Sequence, residues 1–442
     1  MGVLVDVTST LSTAIVIVSS SSSIDPYHLE PRNRRPTRVK SGKEGINGLK
    51  VYKSQQIDRA NPVMAQGLSD SLLQFALDMY GKLQSQNRGG QNIFFSPFSI
   101  ALPLTMALAG ARNNTAEQLA ALLHVKNDRS KVQCSVTKLL KQLSEFAPDV
   151  EFHVANRVYG DQRFAFQKSY RSDMENSYGA TVTSVDFSKN HEDVRLEANE
   201  WVLKQTASKI RDLLPPGSVG ANTTLLLLNA IYFKGFWSSP FTAHLTKPHD
   251  FHLDSENVVK VDTMSHAYGY KISTSKELRA RALEMPYRGG KMSMVILLPD
   301  EVEGLPFLEK HLTSVTLSTL LASLEQNPKV CLTLPKLKIE RGLALKDVLR
   351  ALGVVDLFKP EVADLSGIFE SGKPAVTDIL HKTFLQVDEE GTEAAAATGT
   401  IMTCCAYNTL PPTLFKVDHP FMFIIKTNEP DVILFVGSVR RP

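Results

Sequence analysis

Apolar positions recur at steps of three and four from Leu68 onward: Leu68, Leu72, Ala76, Met79 and Leu83 form the buried stripe of a helix. A short apolar strand is predicted at Asn92–Phe95, stopped by Ser96-Pro97, and Ile100–Ala109 reads as a buried helix in spite of Pro103. Thr115 and Gln118 have the spacing of a capping box, which predicts a helix from Ala116 to Leu123. Val132, Val136, Leu139, Leu140 and Leu143 predict a fourth helix. The period then falls to two. Phe152, Val154, Asn156 and Val158 alternate with His153, Ala155 and Arg157, a strand with a polar residue at the centre of one face.

Helices are predicted next at Ala165–Ser177 and His191–Ile210, with Pro215-Pro216-Gly217 closing the second. Thr224–Phe233 is too apolar for an edge strand and should be central, covered on both faces. Further strands are predicted at Met292–Leu298, Lys329–Ile339, Ile379–Val387, Phe415–Thr427 and Val432–Val439, with a helix at Leu343–Leu352 ended by Gly353. Helices come first and strands dominate the second half, without βαβ alternation. The pattern therefore predicts an α+β fold, helices packed on large, mainly antiparallel sheets. No low-complexity linker interrupts residues 68–440, so residues 64–442 are expected to be a single domain.

Residues 1–63 differ. Leu11–Val18 is an apolar run of eight, followed by serines and a Pro/Arg-rich stretch, which suggests a disordered extension or a weak leader. A membrane span needs roughly 18 to 20 apolar residues, so none is expected. Net charge over the 442 residues is +3, too small for a generic nucleic-acid binder. It is unevenly placed: residues 1–63 hold nine Lys/Arg against five Asp/Glu. Arg32, Arg34, Arg35, Arg38, Lys40 and Lys43 give this tail a possible contact with a polyanion. Hydrophobic content of 43 % with 21 % charged residues excludes a mostly disordered chain. Cys134, Cys331, Cys404 and Cys405 lack metal-ligand spacing, and free thiols are expected.

Enzyme templates fail: the chain has no GxGxxG after a strand, no GxxxxGK[ST], no HExxH and no GxSxG. Asn113-Asn114-Thr115 and Asn222-Thr223-Thr224 are glycosylation sequons, relevant if the chain is secreted. One segment stands out. Asp388-Glu389-Glu390-Gly391-Thr392-Glu393 precedes four alanines, Ala394–Ala397, and no charge or proline follows until after Leu410. An alanine-rich helix is one reading, though Thr398-Gly399-Thr400 would end it after about two turns. The other reading is a conditional strand. Thr392, Ala394, Ala396, Thr398 and Thr400 would form one small, uncharged face, which a sheet could bury without charge desolvation.

At these residues the chain resembles the serpin family. The resembling stretches are NIFFSPFSIALPLTMALAGARNNTAEQL (92–119), ANEWVLKQTASKI with LLLLNAIYFKGFW (198–210, 225–237), HKTFLQVDEEGTEAAAAT (381–398), and FKVDHPFMFII with ILFVGSV (415–425, 433–439). The resemblance implies three β-sheets, eight to nine helices and an exposed reactive-centre loop at about residues 390–412. It implies a suicide-substrate inhibitor of serine proteases, not an enzyme, with no cofactor and no metal. A target protease cleaves the loop, which then inserts as a central strand and distorts the trapped acyl-enzyme. The uncleaved fold would thus be held kinetically.

Carried over by motif, Glu390, Gly391, Thr392 and Glu393 with Ala394, Ala395, Ala396 and Ala397 form the hinge. Ser96, Ser99, Asn229 and His381 match the family's shutter, and Trp237 matches its breach. Counting fifteen positions from Gly391 places the reactive bond at Cys405–Ala406; a shifted register would use Tyr407. No Lys or Arg lies between Ala394 and Leu410, so elastase-like or chymotrypsin-like targets are expected before trypsin-like ones. A monomer located outside the cell is expected. Two alternatives remain: a non-inhibitory binding or chaperone-like protein, and an inhibitor of papain-like cysteine proteases.

Overall fold

The stripe that begins at Leu68 belongs to a helix of 25 residues, α1 (Pro62–Gln86). It is followed by β1 (Ile93–Phe95), α2 (Pro97–Gly110), α3 (Asn113–Leu122), α4 (Arg129–Ser144), β2 (Val150–Asp161), α5 (Lys168–Tyr178), β3 (Thr181–Val185), α6 (Phe187–Gln205) and β4 (Leu225–Phe236). Then come β5 (Lys247–His252), β6 (Val258–Ser275), β7 (Ala280–Pro286), β8 (Met292–Pro299), α7 (Leu305–His311), α8 (Ser314–Ala322) and β9 (Glu325–Pro335). The chain closes with β10 (Leu337–Ala344), α9 (Lys346–Ala351), β11 (Asp378–Val387), β12 (Gly391–Thr392), β13 (Thr413–Lys416), β14 (Phe421–Thr427) and β15 (Ile433–Val439). This computed structural model describes residues 62–87, 90–126, 128–392 and 411–442, all within the unit Asp58–Pro442.

The fold is α+β, with nine helices among the described residues. One sheet runs β10-β11-β12-β4-β2-β3. A second hydrogen-bonded network runs β1-β15-β14-β8-β7-β6-β9-β13, with β5 also on β6. Where three sheets are expected, two of them share β6. Val258–Thr263 pair with β5, Thr263–Ile272 with β9 and Lys271–Ser275 with β7, so that the partners overlap at Lys271 and Ile272; the register with β9 shifts between Tyr268 and Tyr270. An 18-residue strand with such an irregularity can pass from one sheet into the next.

β4 is central, as its apolar run requires. Leu225, Leu227, Ile231 and Phe233 face the main core. Leu226, Leu228, Ala230 and Tyr232 face a second core, closed by Phe187, Val194, Ala198 and Val202 of α6. Alternate residues thus pack against two different layers, which accounts for a strand without a polar face.

Three expectations are corrected. α3 starts at Asn113, and Thr115 and Gln118 do not cap it. They serve a tertiary tie: Thr115 Oγ1 accepts from the Asp364 amide at 3.0 Å, and Gln118 Oε1 accepts from the Val355 and Asp356 amides at 2.9 Å each. The single strand read at Lys329–Ile339 is two, β9 and β10, divided at Lys336, whose amide turns to Asp262 O at 2.9 Å. The strand read at Phe415–Thr427 is likewise divided, at Val417–Pro420, where His419 Nε2 meets Pro299 O at 2.9 Å.

Candidate functional site

The seam between β4 and β11 differs along its length. From Asp378 to Phe384, β11 pairs directly and in parallel with Leu226–Tyr232 of β4. Above that, β12 lies between them, with Thr392 opposite Val387 on one side and Gly235 on the other. A tight reversal brings it there. Asp388 Oδ1 accepts from the amides of Glu390 at 3.2 Å and Gly391 at 3.3 Å, the side-chain-to-backbone turn that Asp favours. Gly391 passes against the β4 backbone: a Cβ there would lie 2.1 Å from Gly235 O.

Side chains fix this reversal from both sides. Trp237, fully buried, donates its indole N–H to Asp388 O at 3.0 Å and its amide to Glu390 O at 2.8 Å. Its ring stacks on Tyr287 at 4.6 Å between centroids. The Tyr287 hydroxyl is 2.8 Å from Thr392 Oγ1, and both residues are completely buried. Glu389 Oε2 meets Lys336 Nζ at 2.8 Å, and Glu389 Oε1 accepts from Thr246 Oγ1 at 2.8 Å. Burial opposes ionisation at Glu389, but these two donors prevail and hold its carboxyl below its ordinary value.

Lower on the seam a polar row crosses three strands. Asn156 of β2 is opposite Asn229 of β4, and Asn229 is opposite His381 of β11. Asn229 Nδ2 donates to Asn156 Oδ1 at 2.7 Å, and Asn229 Oδ1 accepts from Ser99 Oγ. Beneath the row is the start of α2. Ser96 is its N-cap, accepting the Ser99 amide at 3.1 Å and donating its hydroxyl to Leu434 O at 2.6 Å.

The tautomer of His381 follows from its partners. Nε2 faces the Ser96 amide at 3.3 Å and must accept; Nδ1 lies 3.1 Å from Asn229 Oδ1 and must donate. Complete burial pushes the imidazole down to about 3, and a proton on Nε2 would point at another N–H. His381 is therefore neutral at physiological pH.

Of the residues singled out in the sequence, the structure brings Ser96, Ser99, Asn229 and His381 into one hydrogen-bonded cluster. It gathers Trp237, Glu390, Gly391 and Thr392 at the upper end. Glu393, Ala394, Ala395, Ala396, Ala397, Cys404, Cys405, Ala406 and Tyr407, and residues 1–61, lie outside the described residues. Asn113 and Asn222 are both exposed, and Asn113 Nδ2 bonds Asp364 Oδ2 at 2.7 Å. The sequence reading gave no role to Tyr287 or Lys336; Asn156 was visible as the polar residue interrupting an apolar strand face, and Asp388 as the first residue of the segment that stands out, without their hydrogen-bonding roles. Among the described residues no His/Cys/Asp/Glu group is placed to hold a metal, and no helix is long and apolar enough to cross a membrane.

The family model described as Serpin (serine protease inhibitor) matches residues 70–442. Iris of Ixodes ricinus is 49 % identical over 380 residues, covering 85 % of this chain and 100 % of that protein. Leukocyte elastase inhibitor A of Mus musculus is 40 % identical over 386 residues, covering 85 % and 99 %. The crystal structure of Serpin48, a highly specific serpin of Tenebrio molitor, superposes with a TM-score of 0.76 at 35 % identity, over 85 % of this chain and 98 % of that one. A seam between two strands of one sheet with a returning strand at its top, and a match running from the first helix to the C-terminus, place this chain in the serpin family.

Proposed function

We propose that this serpin inhibits a serine endopeptidase as a suicide substrate, its cleaved loop entering the six-stranded sheet along the seam between β4 and β11. The observation that carries this reading is β12: the first two residues of the inserting strand already separate β4 from β11 at one end. Continuing that register one residue at a time would set Ala394 opposite Phe233 and Leu385, and Ala396 opposite Ile231 and Thr383. Thr398 would arrive opposite both Asn229 and His381, which now face each other. The same small positions that form the uncharged face in the sequence would therefore turn toward the core side, and the one hydroxyl among them at that depth would meet the polar row.

On this reading Ser96, Ser99, Asn229 and His381 form the shutter that keeps the lower seam closed, and Trp237 marks the breach where it opens. Glu390 to Ala397 are the hinge, within a single serpin domain of residues 64–442. The reactive bond is Cys405–Ala406, whose small apolar first residue suits an elastase-like pocket. The name of the Mus musculus relative, leukocyte elastase inhibitor A, agrees with that choice. A location outside the cell, with glycans on exposed Asn113 and Asn222 and a polyanion contact made by the basic residues Arg32 to Lys43, completes the proposal.

The test is to mix the protein with elastase-, chymotrypsin- and papain-like enzymes and resolve the products in SDS. A stable adduct with one of the serine enzymes is expected, together with a released C-terminal fragment beginning at Ala406. A fragment beginning at Asn408 moves the recognition residue to Tyr407 and the target to a chymotrypsin-like enzyme. Cleavage by every enzyme without any adduct overturns inhibition in favour of a binding protein.

A further inference from the structure

Tyr287 lies just past the end of β7 and belongs to neither strand of the seam, yet its side chain reaches the first inserted residue. The ring is immobilised: it stacks on Trp237 at an interplanar angle of 14° and stands edge-on to Phe233 at 5.2 Å and 82°. Its path to β12 is open because position 235 is glycine, where a Cβ would lie 2.9 Å from the ring Cδ1. At the end of that path the hydroxyl meets Thr392 Oγ1 at 2.8 Å in a site closed to solvent.

We infer that the Tyr287 hydroxyl is the positioning group that seats Thr392 between β4 and β11 and thereby fixes the register from which the rest of the loop inserts. The inference rests on the insertion reading above. Register matters here because a slip of one residue would exchange the faces of the whole strand, turning the odd positions with Glu393 toward the core side in place of the small even ones. Backbone pairing over two residues discriminates weakly against such a slip. A hydroxyl held by a stacked ring at one depth supplies what the backbone lacks, since Thr392 finds a partner there in one register alone and is otherwise buried unpaired. If size alone set the fit, removing the hydroxyl by Tyr287→Phe would leave Thr392 seated equally well.

The test compares the uncleaved parent with Tyr287→Phe, Thr392→Val and the double variant. Hydrogen exchange at the amides of residues 390–392 is expected to run roughly five- to tenfold faster in each single variant. The double variant is expected to be no faster than the singles, because both hydroxyls of the pair are then gone. Amides of β14 serve as the control and should match the parent. With a protease that the parent traps, Tyr287→Phe should leave the rate of loop cleavage unchanged and lower the share ending as stable adduct. Exchange at the parent rate in both single variants overturns the inference, and so does an unchanged adduct share. If the parent itself traps no protease, the insertion reading falls while the exchange rates still decide whether Tyr287 seats Thr392.

Discussion

The upper and lower halves of one seam are built from opposite materials. At the top, two glycines and a threonine let a strand slip between β4 and β11, with Trp237 and Tyr287 packed behind it. In the middle, Asn156, Asn229 and His381 join three strands and anchor them to the start of α2 through Ser96 and Ser99. The upper half is held open by fit. The lower half is held shut by hydrogen bonds that lose their partners if the strands part, a cost of roughly 1–3 kcal/mol for each buried group left unsatisfied. A sheet with an open end and a closed middle can wait, and the incoming strand must replace what it breaks.

Two changes attack the halves separately. The larger effect is expected from Thr392→Arg at the top. Thr392 is completely buried, and an unpaired guanidinium there costs on the order of several kcal/mol. The hinge should leave the seam, so that the loop is still cleaved while the yield of stable adduct drops sharply; gel densitometry of adduct against cleaved chain reads the ratio. An unchanged ratio would mean that insertion does not begin at Thr392.

The smaller effect concerns the closed half and is read by pH. His381 titrates at about 3 in the fold and near its ordinary 6.5 once released. Its folded value is depressed, so its contribution is complete above about 6.5 and is lost progressively as pH falls from 6.5 toward 3. Denaturant midpoints of the uncleaved protein should decline across that window, by several kcal/mol at most. His381→Asn removes the titrating group and should flatten that part of the profile. An equally steep decline in the variant would assign the pH dependence to other groups.

Much of this site was legible in the sequence, for reasons that differ by residue. The period-two run with Asn156 at its centre and the two-faced apolar run around Asn229 reported strands whose burial is set by local pattern. Gly391 and Thr392 were legible through the uncharged face that follows them. Tyr287 and Lys336 were not, because their roles depend on where β7 and β9 end relative to β11, a relation of distant segments that periodicity does not record. Strands β5 to β7 were missed altogether. β5 and β6 carry lysine, histidine, aspartate and serine without clean alternation, β7 buries Glu284 among apolar residues, and β6 changes partners along its length, which mixes the environments of its two halves. The capping box at Thr115 and Gln118 misled because the same two side chains were needed by the 355–364 segment.

The central claim is that the uncleaved sheet lacks a strand that its own loop can supply. Cutting the loop near Cys405 and comparing the thermal unfolding of cut and intact protein tests it most directly. Insertion of residues 392–403 would add a two-sided ladder of backbone hydrogen bonds and bury methyl groups, so the cut form is predicted to unfold on the order of tens of degrees higher. Equal unfolding temperatures would contradict the account, showing that the seam between β4 and β11 opens no further than Thr392.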